Sequence, residues 1–356
     1  MPISAVDSIS PAYERAKSVL FHPFRLGQWG RIALVGLLAG ELSSGGGCQM
    51  PSIPHNTRGS EHFLAPGFPF PSDPAMYAGL IAALAAAGFI LWLVLLYVSS
   101  VMRFILFDSV VEKECRIRKG WKRRHRAGVR YFFWKLVIAF GSFAGFGILV
   151  GVPAILGFAL GWLQEPKDHI LPLVLVGFAL FFALTIFVIG LLILEVVSKD
   201  FLIPQIALDD ISAFEAWMRW WVMMKQEKAG YAGYLGMKLV LAIAAGILAW
   251  IATMVLLIIL LIPVGGLGII AVLAGKTAGL TWDVYTITLA VVAGSIALAG
   301  ILYLTSLISV PFIVFFPAYS IHFFAGRYPK LAALIDPPPA PPIEGMPLPP
   351  QPEPAL

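Results

Sequence analysis

Charged residues are scarce in this 356-residue chain: Asp, Glu, Lys and Arg make up 13% of it, where a soluble domain carries about 25%. They are missing altogether from residues 74 to 102, 136 to 164, 170 to 194, 239 to 275 and 284 to 326. Each of these runs exceeds the roughly 20 residues that span a bilayer core. With 59% of the chain hydrophobic, far more than one soluble core requires, the runs predict spanning helices. Cysteine is almost absent too. Cys48 and Cys115 fall on opposite sides of the expected topology, which excludes an internal disulfide, and neither belongs to a C-x-x-C zinc spacing. The first 25 residues carry Asp7 and Glu14 ahead of the first apolar run, so they lack the basic-then-apolar order of a cleaved signal peptide.

Basic residues are unevenly placed. Nine of the 25 Lys and Arg residues lie between Lys113 and Arg130, and such density beside membrane segments marks the cytoplasmic side. The alternate connections, around 41 to 76, 164 to 169 and 264 to 283, hold only Arg58, Lys167 and Lys276. The net charge of +5 therefore follows from topology, and nucleic acid is not an expected partner. A further crossing near Arg31, with Glu41 toward its far end, keeps Arg15, Lys17, Arg25 and Arg31 inside as well. The resulting expectation is an all-α integral membrane protein with six spans, 31–50, 76–107, 133–163, 170–197, 236–262 and 284–315. It places a cytoplasmic amphipathic segment at 1–30 and a cytoplasmic tail at 327–356.

A faint repeat divides the spans into three hairpins. Phe104-Ile105-Leu106, Phe201-Leu202-Ile203 and Phe312-Ile313-Val314 end the second, fourth and sixth spans. Trp121 and Trp217 follow the first two triplets at similar distance, and Arg31, Lys135 and Lys238 open the next apolar run. The unit reads as an interfacial helix, a basic surface residue and two spans joined outside; chance matching within a limited apolar alphabet gives the same pattern. Ser212 and Glu215 form a capping box, beyond which Phe214, Trp217, Met218, Trp221 and Met224 share one helical face. Trp121, Trp217 and Trp221 suit the headgroup level, where a ring with one polar edge is half wet. A helix buried under the bundle is the other reading of that face. The last 20 residues contain ten prolines, which predict an extended tail with no core of its own and, alternatively, a docking strand for an aromatic groove.

Chemistry is hard to find. Gly275-Lys276-Thr277 lacks the earlier glycine of a phosphate-binding loop, for Ile270 stands there. His55 and His62 share a loop with Glu61 and Asp73 but match no ligand spacing, and no serine sits in a G-x-S-x-G context. No cofactor, metal or catalytic residue is expected. Among ionisable groups near the spans, Glu195 is the one candidate, and its i,i+4 spacing to Lys199 explains it as a local pair. Arg103 and Asp108 are expected to reach the headgroups. Arg116, Arg118, Lys119, Lys122, Arg123, Arg124 and Arg126 form the surface expected to contact anionic lipid or a protein partner.

The hairpin unit, the tryptophan-bearing interfacial helices and the Phe-Leu-Ile-Pro stretch at 201 to 204 resemble a loose group of uncharacterised bacterial six-helix membrane proteins. The group includes the membrane domain attached to some glycerophosphodiester phosphodiesterases. The resemblance covers most of residues 10 to 335 and implies a bacterial inner-membrane location and little about activity. The phosphodiesterase's catalytic module, a His-Arg-Gly lead followed by paired acids, is missing, so no functional residue carries over. A non-enzymatic scaffold, assembly or accessory subunit is the leading expectation, a transporter of a lipid-like solute the second and a membrane enzyme the third.

Overall fold

The computed structural model describes residues 3–41, 74–165, 167–277, 279 and 284–335. Every regular element among them is helical. α1 (Ile9–Phe21) and α2 (Leu26–Ala39) precede α3 (Pro74–Glu112), α4 (Ile117–Ala159) and α5 (Ile170–Val197). A π-helical turn (Ser198–Leu202) leads into α6 (Ile203–Asp209), followed by α7 (Ala213–Gln226), α8 (Lys228–Thr277), α9 (Val284–Ala325) and α10 (Pro329–Ile335).

Five of these helices are long and apolar enough to cross a membrane: α3, α4, α5 with its continuation to Asp209, α8 and α9. The most apolar window of each is between 0 and 11% buried inside the protein. That is the behaviour of helices whose solvent is lipid, since apolar side chains gain nothing by leaving hydrocarbon for one another. The chain is a multi-pass membrane protein on these grounds of length and hydropathy.

The helices run further than the uncharged sequence alone predicts. α3 continues through Arg103 and Asp108 to Glu112, and α4 begins at Ile117; Arg103, Asp108, Glu112, Arg123 and Arg124 are paired within the fold, and Arg118, Lys119, Lys122 and Arg126 are exposed. α3 ends where Lys113 takes a left-handed conformation with φ of 60°. Pro311 and Pro317 do not terminate α9, which passes through both. Pro204 instead sits in the first turn of α6, where its missing N–H costs nothing. α2 stops at Ala39 because Gly40 adopts φ of 79° and its N–H closes the last turn on Leu37. Its 14 residues extend about 21 Å, less than the roughly 30 Å of a bilayer core. Residues 42–50 of the first expected span, and the tail beyond Ile335, lie outside the described residues.

One core gathers at one end of the bundle. Its buried side chains come from α1, α2, the inner ends of α3 and α9, the start of α4, the segment from Val197 to Tyr234, and α10. The three repeated triplets all end there: Phe104, Ile105, Leu106, Phe201, Leu202, Ile203, Ile313 and Val314 are buried. Glycine lets α2 and α9 approach, for a Cβ on Gly36 would stand 2.7 Å from two atoms of Ile313. Two guanidinium bonds tie α1 to α3, since Arg15 donates to the carbonyls of Val110 (3.1 Å) and Val111 (2.6 Å). A cation at a helix C-terminus also meets the negative end of the helix dipole.

Candidate functional site

Where the exposed apolar helices enter the core, ionisable side chains form a layer. The layer begins with a repeated local motif. Tyr131 and Lys135 are four residues apart on α4, Tyr234 and Lys238 four apart on α8, and each lysine is followed by Leu-Val. Four residues bring both side chains to one face of a helix. The Lys135 ammonium lies 5.6 Å from the centre of the Tyr131 ring and that of Lys238 5.9 Å from the Tyr234 ring.

Each pair then meets a charge standing directly before a repeated triplet. Arg103, 5% exposed, donates to the Tyr131 hydroxyl at 3.4 Å and to the Ala39 carbonyl at 3.0 Å. Asp200, equally buried, accepts from the Tyr234 hydroxyl at 2.8 Å and from Lys238 in an ion pair. The two units thus use one geometry with opposite sign. Lys135 completes the first by donating to Ser99 at 3.0 Å.

Glu195 and Lys199 bind the two units together. Glu195 makes the i,i+4 pair with Lys199 at 2.9 Å and reaches Arg103 at 3.5 Å; Lys199 also faces Glu41 at 3.9 Å. Lys199 and Asp200 lie in the π-helical turn, whose extra residue per turn shifts the face that each presents. Glu41, Arg103, Lys199, Asp200 and Lys238 line a cavity of about 40 Å³ closed on the α9 side by Pro317 and Ser320, enough for ordered water among groups that need hydrogen bonds.

Arg31 does not join this layer. It is exposed on α2, close enough for its charge to act on Cys115. Burial pushes the Cys115 thiol up, partly opposed by a hydrogen bond from Ser109 and by Arg31. Arg103 and Asp108 are not headgroup contacts either, because both are buried in ion pairs.

The basic segment divides into two faces. Arg123 and Arg124 turn inward onto Asp108 at 2.5 and 2.8 Å, Arg130 pairs with Asp210 at 2.6 Å, and Arg116 with Glu114 at 2.6 Å. Arg118, Lys122 and Arg126 follow one another at four-residue spacing on the exposed face, with Lys119 beside them. These four make no ion pair among the described residues. Trp121 packs edge-on against Tyr97 at 5.9 Å, while Lys135 meets Ser99. Gly120 lies against Ile105 and Gly128 against Val101 as well, so this part of α4 packs along α3 beside the ionic layer.

α7 is capped as its sequence predicts, with the Glu215 N–H donating to Ser212 Oγ at 3.2 Å. Its buried face is Ala213, Ala216 and Trp220, one step round from the expected stripe, and Phe214, Met218 and Trp221 remain exposed. Trp217 packs on Trp134 at 5.6 Å, and Trp134 donates to Ser198 at 3.0 Å, which sets Trp217 beside the ionic layer. The sequence reading missed Tyr131, Tyr234 and Asp200; the repeated Tyr-x-x-x-Lys-Leu-Val was the signal available for the two tyrosines.

No curated protein and no solved structure matches the chain. A family match covers residues 3–334, nearly the whole of the described fold, and brings no link to the phosphodiesterase-associated membrane domain. A match of that extent, over both the apolar helices and the charged core, means that the chain belongs to DUF7544, a family of unknown function.

Proposed function

We propose that the chain is a non-enzymatic scaffold or accessory subunit of a bacterial inner membrane, crossing it six times with both termini and the ionic core on the cytoplasmic side. The observation that carries this reading is the exposed stripe of Arg118, Lys122 and Arg126 on the part of α4 that packs along α3 beside the ionic layer. Cations so placed attract anionic headgroups at roughly 1 kcal/mol each and leave a docking face for an acidic partner. The proline-rich tail is a second contact for a partner.

The test is purification in gentle detergent followed by crosslinking, for the native chain and for Arg118→Gln/Lys122→Gln/Arg126→Gln. A partner at fixed stoichiometry that the triple variant loses agrees with the proposal. A monomer that crosslinks to nothing contradicts it.

A second reading, a transporter of a lipid-like solute, is favoured by the polar cavity at the layer and by the apolar cavity between α5 and α8. In liposomes, solute flux that falls with Glu195→Gln would decide for it.

A further inference from the structure

α5 packs along α4 and α8 along α9, so a lateral opening remains between α5 and α8 with α7 as its floor. The opening is a cavity of about 480 Å³, within the range of small-molecule sites and far below the roughly 2000 Å³ of a helix 25 Å long. Its walls are almost wholly apolar: Gly190 and Leu194 stand on the bilayer side, Trp220, Tyr231 and Leu235 toward the core, and Lys228 at the inner end. Gly190 lies about 16 Å of helix rise outward from Phe201, another lining residue.

We infer that this groove holds one anionic phospholipid of the leaflet facing the core, with an acyl chain between α5 and α8 and the phosphate at Lys228. Three observations fix the occupant. The groove is continuous with the exposed apolar surface of α5, where Ile193 is 41% exposed. Its inner end is positively charged: Lys228 and Lys225 make no ion pair among the described residues, Lys225 lying over the ring of the lining residue Trp221 at 5.6 Å, while the intervening Glu227 is taken by Arg327 at 2.6 Å. Finally, Lys228 is the one charged residue among those that line the groove, which matches an acyl chain with a single phosphate at one end. An apolar chain directed outward and a phosphate directed inward match the orientation a lipid already has in that leaflet. The site is remote in sequence from the basic stripe on α4 and stands whether or not that stripe binds a partner.

The full chain in nanodiscs containing phosphatidylglycerol with a photoreactive group in its acyl chain tests the inference, with the same acyl probe on phosphatidylcholine as the second arm. The phosphatidylglycerol probe is expected to label the 224–235 and 190–197 peptides about fivefold above the exposed 243–251 peptide, the ratio that about 1 kcal/mol of preference gives. Ala232→Trp or Leu194→Trp, which fill the groove, should abolish that excess, and Lys225→Gln/Lys228→Gln should abolish the preference over phosphatidylcholine while leaving the packing intact. Labelling no higher in the groove than at 243–251, or an excess that survives both tryptophan variants, would overturn the inference. So would an excess that appears only after residues 336–356 are deleted, since the tail would then be the native occupant.

Discussion

Two carboxylates illustrate how burial ranks otherwise similar residues. Asp200 is 5% exposed and held by Lys238 and Tyr234, whereas Glu215 on α7 makes an i,i+4 pair with Arg219 in which both side chains are about half exposed. Removing one partner of a buried pair leaves the other charge stranded, at a cost of about 3–5 kcal/mol, while an exposed i,i+4 pair contributes about 0.3–0.5 kcal/mol. Asp200→Asn should therefore lower thermal stability far more than Glu215→Gln, as melting in detergent would show. Equal effects would mean that the layer is wet throughout. The sequence made Glu195 visible because it interrupts an apolar run, and hid Asp200 because Lys199 beside it reads as an interface. Burial is decided by what packs across from a residue, here α8 and α9, and the local pattern does not contain that.

Cys115 gives a second prediction at this scale. Its thiol is buried and its pKa raised above 9.0, chiefly by desolvation. A thiol raised in the fold stays protonated and unreactive, and its contribution to stability, present below the ordinary thiol value, fades as pH rises through the higher folded value. With Cys48 replaced by Ser, maleimide at pH 8 should label the native chain slowly and the denatured chain rapidly; rapid native labelling would show that the buried turn between α3 and α4 opens.

Element lengths were less legible than element existence. The five long apolar helices follow directly from the uncharged runs, but their inner ends do not, because paired charges allow a helix to continue. The π-helical turn at Ser198–Leu202 has no sequence signature, since it serves contacts made by α8 and α9. Glycine at the α3–α4 crossing is similarly tertiary in origin. A Cβ on Gly128 would fall 2.5 Å from Val101 Cγ2 and 3.1 Å from its Cα. Alanine in a helix gains up to about 1 kcal/mol over glycine, yet overpacking costs about 1–3 kcal/mol, and here the obstacle includes backbone. Gly128→Ala should therefore be destabilising, while Gly141→Ala, with open space around it, should be neutral or stabilising in the same melting assay. At the start of α7, Ser212→Ala should cost about 1 kcal/mol through loss of the cap, a change that hydrogen exchange at Glu215 would register.

The whole molecule has one organising feature, a charged and packed end from which apolar helices extend into lipid. Charge distribution along the chain anticipated which segments would share that end, and the structure brings residues 3–41, 101–135, 197–238 and 306–335 together there. Site-directed cysteine labelling tests this most directly, in a chain with Cys48 and Cys115 replaced. Lys17→Cys, Lys122→Cys, Lys225→Cys and Lys330→Cys should all resist a membrane-impermeant maleimide in intact cells and react once the membrane is opened, whereas Asp168→Cys should react from outside. If some of the first four reacted in intact cells and the others did not, or if Asp168→Cys behaved as they do, the segments would not share one face of the membrane opposite Asp168.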